Sequence, residues 1–290
     1  MKKRKKQSKN KTGFAFAMLS PVTLVLVFLI VIPLIYIVIM SFMTRGTYGG
    51  IVYKPTLENY KAIFDKLYLD VMMKSVGWSL ISTILCLLIG YPVAYRIAGM
   101  PKKRASTVIL LIMVPFWTSS MARLYNFVIL MNTSGVINTV LMKLHIIKAP
   151  LQMLYTGGAV VVGMVYCLLP FAILPLYTSI AKLDRALVEA SKDLGANAVK
   201  TFFKITFPLT SGGVFASVIL VFIPSLGYYY VTDIMGGGTS LVMGTLIKAQ
   251  FTTAKNWPMG ATISLVLILV TILLLFLYGR KGNLDDLGVR

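Results

Sequence analysis

Six long stretches with almost no charge constrain this chain more than anything else in it. They cover residues 12–44, 75–95, 105–142 with Arg123 as the interruption, 149–181, 205–232 and 256–279. A helix needs about 20 apolar residues to cross the hydrocarbon core of a bilayer. Each stretch is long enough, and the spans are predicted near 17–42, 76–97, 106–131, 158–180, 212–234 and 260–279. Composition agrees. With 57% hydrophobic and 13% charged residues, and a mean hydropathy of +0.81, 290 residues carry too little polar surface for a water-soluble globule. The expected fold class is an all-α membrane protein with six transmembrane helices.

Basic residues orient these spans. Lys2, Lys3, Arg4, Lys5, Lys6, Lys9 and Lys11 precede the first span, and Arg96, Lys102, Lys103 and Arg104 follow the second. Lys182, Arg185, Lys192, Lys200 and Lys204 follow the fourth, and Arg280, Lys281 and Arg290 follow the sixth. Most of the 29 basic residues therefore fall on one side, which predicts a multi-pass cell-membrane protein with both termini cytoplasmic. The expected organisation is a basic tail over 1–16, a six-span domain over 17–280 with a cytoplasmic loop at 181–208, and a short tail over 281–290. The formal charge of +20 reads as topogenic bias and attraction to anionic lipid, with no fold signal for nucleic acid. The first span is too long for a cleaved leader, and Ala15 and Ala17 open the run rather than follow it, so it reads as a retained anchor. Cys86 and Cys167 fall inside predicted spans and read as small apolar filler.

Pro33, Pro115, Pro170, Pro175 and Pro224 interrupt the spans, each removing a backbone donor. Pro224-Ser225-Leu226-Gly227 predicts a bend in the fifth span, just before Tyr228, Tyr229, Tyr230 and Asp233. Asp233 is either a helix-end residue at the outer surface or a carboxylate facing a water-filled path, because an ionised group is costly in hydrocarbon. The tyrosines belong either to an aromatic belt or to such a path. Trp117, Arg123 and Tyr125, with Thr118 and Ser119, form a second polar and aromatic group, in which Arg123 must snorkel or find a carbonyl or carboxylate.

Between spans, Leu57, Tyr60, Phe64, Leu67 and Val71 recur at helical spacing, predicting an amphipathic helix over Thr56–Lys74. His145 sits in the outer connection Asn132–Tyr155 without other metal-ligating residues at suitable spacing. The loop Lys182–Pro208 predicts two short helices, Asp184–Leu194 and Asn197–Phe207, with Gly195 as the turn and Asn197 as a cap. The small residues Ala186, Ala190, Gly195 and Ala196 allow another protein to approach that backbone closely.

This loop resembles the coupling motif of ABC-importer permeases. Glu189, Ala190, Gly195, Ile205 and Pro208 match its pattern, while Ser191 stands where the pattern has a second Ala and Phe207 where it has Leu. Other blocks resemble the permease subunits of spermidine/putrescine importers: Asn59-Tyr60 with Ile63-Phe64, Pro115-Phe116-Trp117-Thr118 with Arg123 and Tyr125, Gly135-Val136-Ile137-Asn138, Leu169-Pro170-Phe171, and Tyr230-Val231 with Asp233 and Met235-Gly236-Gly237. The resemblance implies a type I ABC-importer permease fold of the MetI-like kind. It also implies a second homologous permease, two ATP-binding subunits and an extracytoplasmic polyamine-binding protein as partners.

On that basis Glu189, Ala190, Ser191, Leu194, Gly195, Ala196, Ile205 and Pro208 are candidates for ATPase coupling. Trp117, Arg123, Tyr125, Tyr228, Tyr230 and Asp233 are candidates for the substrate path. No catalytic, metal or cofactor site is expected, and ATP with its magnesium would be bound by the partners: Lys200 stands where a phosphate-binding loop starting at Gly195 would need its second Gly. Iron, phosphonate and opine importers share the coupling loop and remain alternatives. An ion-coupled secondary transporter would want more buried acids, and an intramembrane enzyme a nucleophile and base that the sequence does not offer.

Overall fold

The computed structural model describes residues 20–238 and 241–281. In chain order its helices are α1 (Ser20–Ser41), α2 (Glu58–Ala62), α3 (Lys66–Ala98), α4 (Lys102–Met113), α5 (Ser120–Met131), α6 (Val136–Lys143), α7 (Gly157–Ala181), α8 (Arg185–Asp193), α9 (Ala198–Leu209), α10 (Ser211–Leu226), α11 (Tyr229–Gly236), α12 (Met243–Thr252) and α13 (Trp257–Lys281). Strands β1 (Met43–Arg45) and β2 (Ile51–Pro55) pair antiparallel. Among the described residues, α1, α3, α5 with α6, α7 and α13 are long and apolar enough to cross a membrane. The pair α9 and α10, bent by 68°, adds a sixth span if counted as one. The tails expected over 1–16 and beyond Lys281 lie outside the described residues, as do positions 17–19 of the first predicted span.

The helices divide into two compact units. The first holds the described residues through Phe64 together with Ala249–Leu267. Its α1 contains a wide π turn at Val27–Val31, in which the Ile32 N–H donates to the Val27 carbonyl. Pro33 follows at once. A proline ring collides with the carbonyl four residues earlier, and a wide turn relieves that collision. After α1, the Asn59 amide donates to the carbonyls of Ser41 and Met43 at 3.1 and 2.8 Å, and the Ser41 and Tyr60 hydroxyls meet at 2.7 Å. The Thr262 hydroxyl also donates to the Ser41 carbonyl, at 3.1 Å. The hairpin was not foreseen in an all-α reading. Its tip is fastened by Arg45 donating to the Ala254 carbonyl and by the Gly50 N–H donating to the Lys255 carbonyl.

The second unit holds Asp65–Lys248 and the chain from Ile268 onward. Its centre is α3 packed on α7 and α10. Ser75, Ser79, Ser82, Thr83, Cys86 and Gly90 make a stripe of small side chains along α3, and all are buried. Between apolar helices in lipid, close backbone approach supplies the attraction that water would otherwise drive, so small residues belong at such interfaces. Ser75 and Thr83 return their hydroxyl protons to carbonyls four residues earlier, and Ser75 also accepts the Met243 N–H at the start of α12. Cys86 and Cys167 are buried free thiols in the apolar core. Gly213 lets α10 lie close against α7, since a Cβ there would collide with Ser179 and the Pro175 carbonyl oxygen.

Three expectations need correction. The third predicted span, 106–131, is not one helix: α4 gives way to a 3₁₀ turn at Val114–Trp117, then Thr118 and Ser119 are extended before α5 starts. Pro115 cannot continue the α-helical ladder, and the Thr118 hydroxyl takes up its carbonyl at 2.7 Å. The amphipathic stretch Thr56–Lys74 is also split. Asp65 is extended, so α2 ends and Lys66–Lys74 become the first turns of α3. The fifth span, expected over 212–234, breaks at Gly227 into α10 and α11. That break falls at the predicted Pro-Ser-Leu-Gly bend.

Candidate functional site

The loop between α7 and α10 is a helical hairpin whose two helix starts carry side-chain caps. Asp184 caps α8 by accepting the Ala186 N–H at 3.0 Å, and Asn197 caps α9 by accepting the Lys200 N–H at 2.8 Å. At the end of α8 the Gly195 N–H donates to the Lys192 carbonyl and the Ala196 N–H to the Ser191 carbonyl. This is a Schellman turn, and it places Gly195 at φ +77°, a conformation that side chains strain to adopt. The two short helices, their glycine turn and the Asn197 cap agree with the sequence reading.

Outward, this hairpin presents Glu189, Ala190 and Gly195, all exposed, with Leu194 at 88% exposure as an apolar knob beside the turn. Ala196 and Ile205 are half-buried and Pro208 is exposed. Ser191 differs from its neighbours by being buried. Inward, Arg185 donates to the Ala98 carbonyl at the C-terminal end of α3, at 3.1 Å. A guanidinium there also meets the negative end of the helix dipole. Among the aromatic residues of α9, Phe202 sets its ring edge-on to Tyr91 at 5.3 Å and the partly exposed Phe207 lies near both, while Phe203 faces outward. A second wide turn, Phe202–Thr206, precedes Pro208, and buried Thr210 occupies the bend into α10.

The path candidates separate into groups. Arg123 is buried at 8% exposure, and its guanidinium lies 4.0 Å from the Phe116 ring centre and 5.5 Å from that of Tyr166. It neither snorkels nor meets a carboxylate: its Nε and Nη1 have no hydrogen-bond partner, and aromatic faces surround the charge instead. The Tyr228 and Tyr230 rings meet at 4.9 Å, tilted by 54°, and pack against the core. Trp117 and Tyr125 are exposed, the former at 76%.

Asp233 forms an ion pair with Lys248, whose ammonium also lies 5.5 Å from the Tyr229 ring centre. The hydrogen bond to Asp233 is the main reason that the Lys248 ammonium holds its proton above the usual lysine range. Sequence reasoning missed Lys248 and Tyr166, because nothing in their local pattern signals a partner far along the chain. Tyr229 was seen only as one of three neighbours.

Apolar helices around small-residue contacts, with a capped hairpin between α7 and α10, define a polytopic membrane protein. Residues 90–280 match the family described as binding-protein-dependent transport system inner membrane component, and the chain belongs to that family. It is 41% identical over 259 residues to the spermidine/putrescine transport system permease protein PotB of Haemophilus influenzae, covering 89% of this chain and 91% of that one. The protein of the same name from Salmonella typhimurium is 40% identical over 276 residues, covering 95% and 96% of the two chains. Among solved structures, a bacterial alginate ABC transporter in complex with its alginate pentasaccharide-bound periplasmic protein aligns at a TM-score of 0.78. It is 14% identical and the match covers 97% of each chain. At that identity the likeness speaks for the fold.

Proposed function

We propose that this chain is a membrane-spanning permease subunit of an ATP-driven importer for polyamines, with spermidine and putrescine as cargo. The carrying observation is 40% identity across nearly the whole chain to a permease named for those solutes. In this reading the chain forms the path together with a second permease, separate ATPases engage the hairpin α8–α9, and an extracytoplasmic receptor hands over the substrate. The bias of Lys and Arg puts the hairpin and both termini in the cytoplasm. Glu189, Ala190, Leu194 and Gly195 form the face that the ATPase meets, Ser191 and Ala196 support it, and Ile205 and Pro208 lead the motion toward the spans.

The chemistry of the path suits an alkylammonium. Asp233 and the Tyr229 ring already hold one ammonium, that of Lys248, and Tyr228, Tyr230 and Trp117 offer further faces, each worth roughly 0.5 to 2 kcal/mol to a cation. Arg123 and Tyr125 stand in the wall of the third apolar stretch. Arg123 contributes fixed positive charge there rather than a ligand for a cation.

The test is ATPase stimulation of the reconstituted complex with its receptor, comparing spermidine and putrescine with an amino acid and ferric iron. Stimulation by polyamines alone is the expected result. A response to iron or the amino acid in place of polyamines would overturn the cargo and leave the permease class standing.

A further inference from the structure

We infer that the hydroxyls of Ser191 and Thr201 form the joint that makes the two helices of the hairpin move as one body, so that these are positioning residues for coupling. The inference rests on the coupling role proposed above for the hairpin. Ser191 Oγ and Thr201 Oγ1 lie 2.9 Å apart, and both side chains are buried although Glu189, Ala190, Lys192 and Lys200 around them are exposed. Ser191 gives its single proton to the Val188 carbonyl at 2.8 Å, which leaves Thr201 as the donor between the two. A buried hydroxyl without a partner is costly, so the geometry resists sliding of one helix along the other.

Position 191 is also where this chain departs from the coupling motif, which has Ala there. Nothing about α8 requires a hydroxyl at that site for the helix itself. What the hydroxyl adds is a cross-link between α8, which carries Glu189, and α9. In sequence the helices are joined by the turn Gly195–Asn197.

Beyond Thr201 the connection continues. Thr201 leads directly into the wide turn Phe202–Thr206, and Phe202 rests its edge on Tyr91 of α3. At the other end of α8, Arg185 holds the Ala98 carbonyl of the same span. A push on the exposed face of α8 is therefore delivered to α3 at two places, through Arg185 directly and through the Phe202–Tyr91 contact by way of the Ser191–Thr201 joint.

The experiment uses the full importer in proteoliposomes, with ATPase, partner permease and receptor, and reads spermidine taken up per ATP hydrolysed. That ratio is insensitive to how much complex assembles, so a purely structural role would leave it unmoved. Ser191→Ala and Thr201→Val should each lower the ratio roughly three- to tenfold, the range that loss of one buried hydrogen bond corresponds to. The double variant should fall no further, because both substitutions remove the same bond. Thr201→Ser keeps the hydroxyl and should keep the ratio. Unchanged ratios in both single variants, or additive losses in the double, would overturn the joint. A Gly195→Asp complex that assembles and transports normally would instead remove the coupling reading on which the joint depends.

Discussion

The Tyr91 hydroxyl of α3 and the Thr210 hydroxyl at the bend between α9 and α10 lie 2.7 Å apart, both side chains buried. Thr210 Oγ1 also donates to the Thr206 carbonyl at 2.7 Å, and the Ser179 hydroxyl of α7 reaches the Thr210 carbonyl at 3.4 Å. One residue thus ties the 68° bend to two other helices. Tyr91→Phe and Thr210→Val should each destabilise the purified protein by about 1 kcal/mol, the typical net worth of such a bond. Thermal unfolding in detergent measures this, and the double variant should show less than the sum.

Gly195 tests the turn separately from the dock. At φ +77°, Gly195→Ala should cost about 1 kcal/mol through backbone strain alone, since no atom lies within 4 Å of where its Cβ would be. Gly195→Asp adds charge to the surface proposed to meet the ATPase, and it should abolish co-purification of the ATPase. Comparing the two variants by pull-down separates strain from blocked docking.

Asp233→Asn should raise the half-saturation for spermidine uptake by about tenfold if the carboxylate contributes roughly one charge-assisted hydrogen bond to the cargo. An unchanged rate and half-saturation would remove Asp233 from the path. The Lys248 pair also predicts a pH response. Since the lysine pKa is raised above 10.5, the contribution of the pair is fully present below that value and is lost only as pH rises through the higher, folded value. Stability should therefore show no step from this pair near neutral pH, and an alkaline unfolding midpoint should move down in Asp233→Asn.

Arg123 depends on aromatic faces where an ion pair would be expected. Phe116→Leu removes the nearer ring, 4.0 Å away, and should destabilise the protein by about 2 kcal/mol, the upper range for a desolvated contact of this kind. Arg123→Met relieves the cost of burying that charge, so it should be tolerated better than Phe116→Leu. Melting temperatures of the two variants decide the order.

Much of this was legible in the sequence because lipid imposes simple rules. Apolar length located α1, α3, α7 and α13, and capping chemistry located both helices of the hairpin to within a residue or two. Breaks inside apolar stretches were harder. The prolines were visible, yet Pro115 ends a helix with a 3₁₀ turn while Pro170 and Pro175 lie inside α7. The difference comes from neighbours that a sequence window does not contain. The same holds for partners distant in the chain: Lys248 for Asp233, Tyr166 for Arg123, Thr201 for Ser191. The β1–β2 hairpin escaped notice because its strands are short and its turn is fixed by the distant residues Ala254 and Lys255.

The wide turn Phe202–Thr206 gives the hairpin slack. A π turn holds one residue more than an α turn. Were Phe202–Thr206 to tighten to α geometry, everything beyond it would rotate by about 100° and shift by about 1.5 Å along the axis. Pro208 keeps that surplus residue in place, because tightening would drive its ring into the carbonyl behind it. The connection between the Gly195 turn and the bend at Thr210 is therefore a wound spring held by a catch, with its travel set by a single residue.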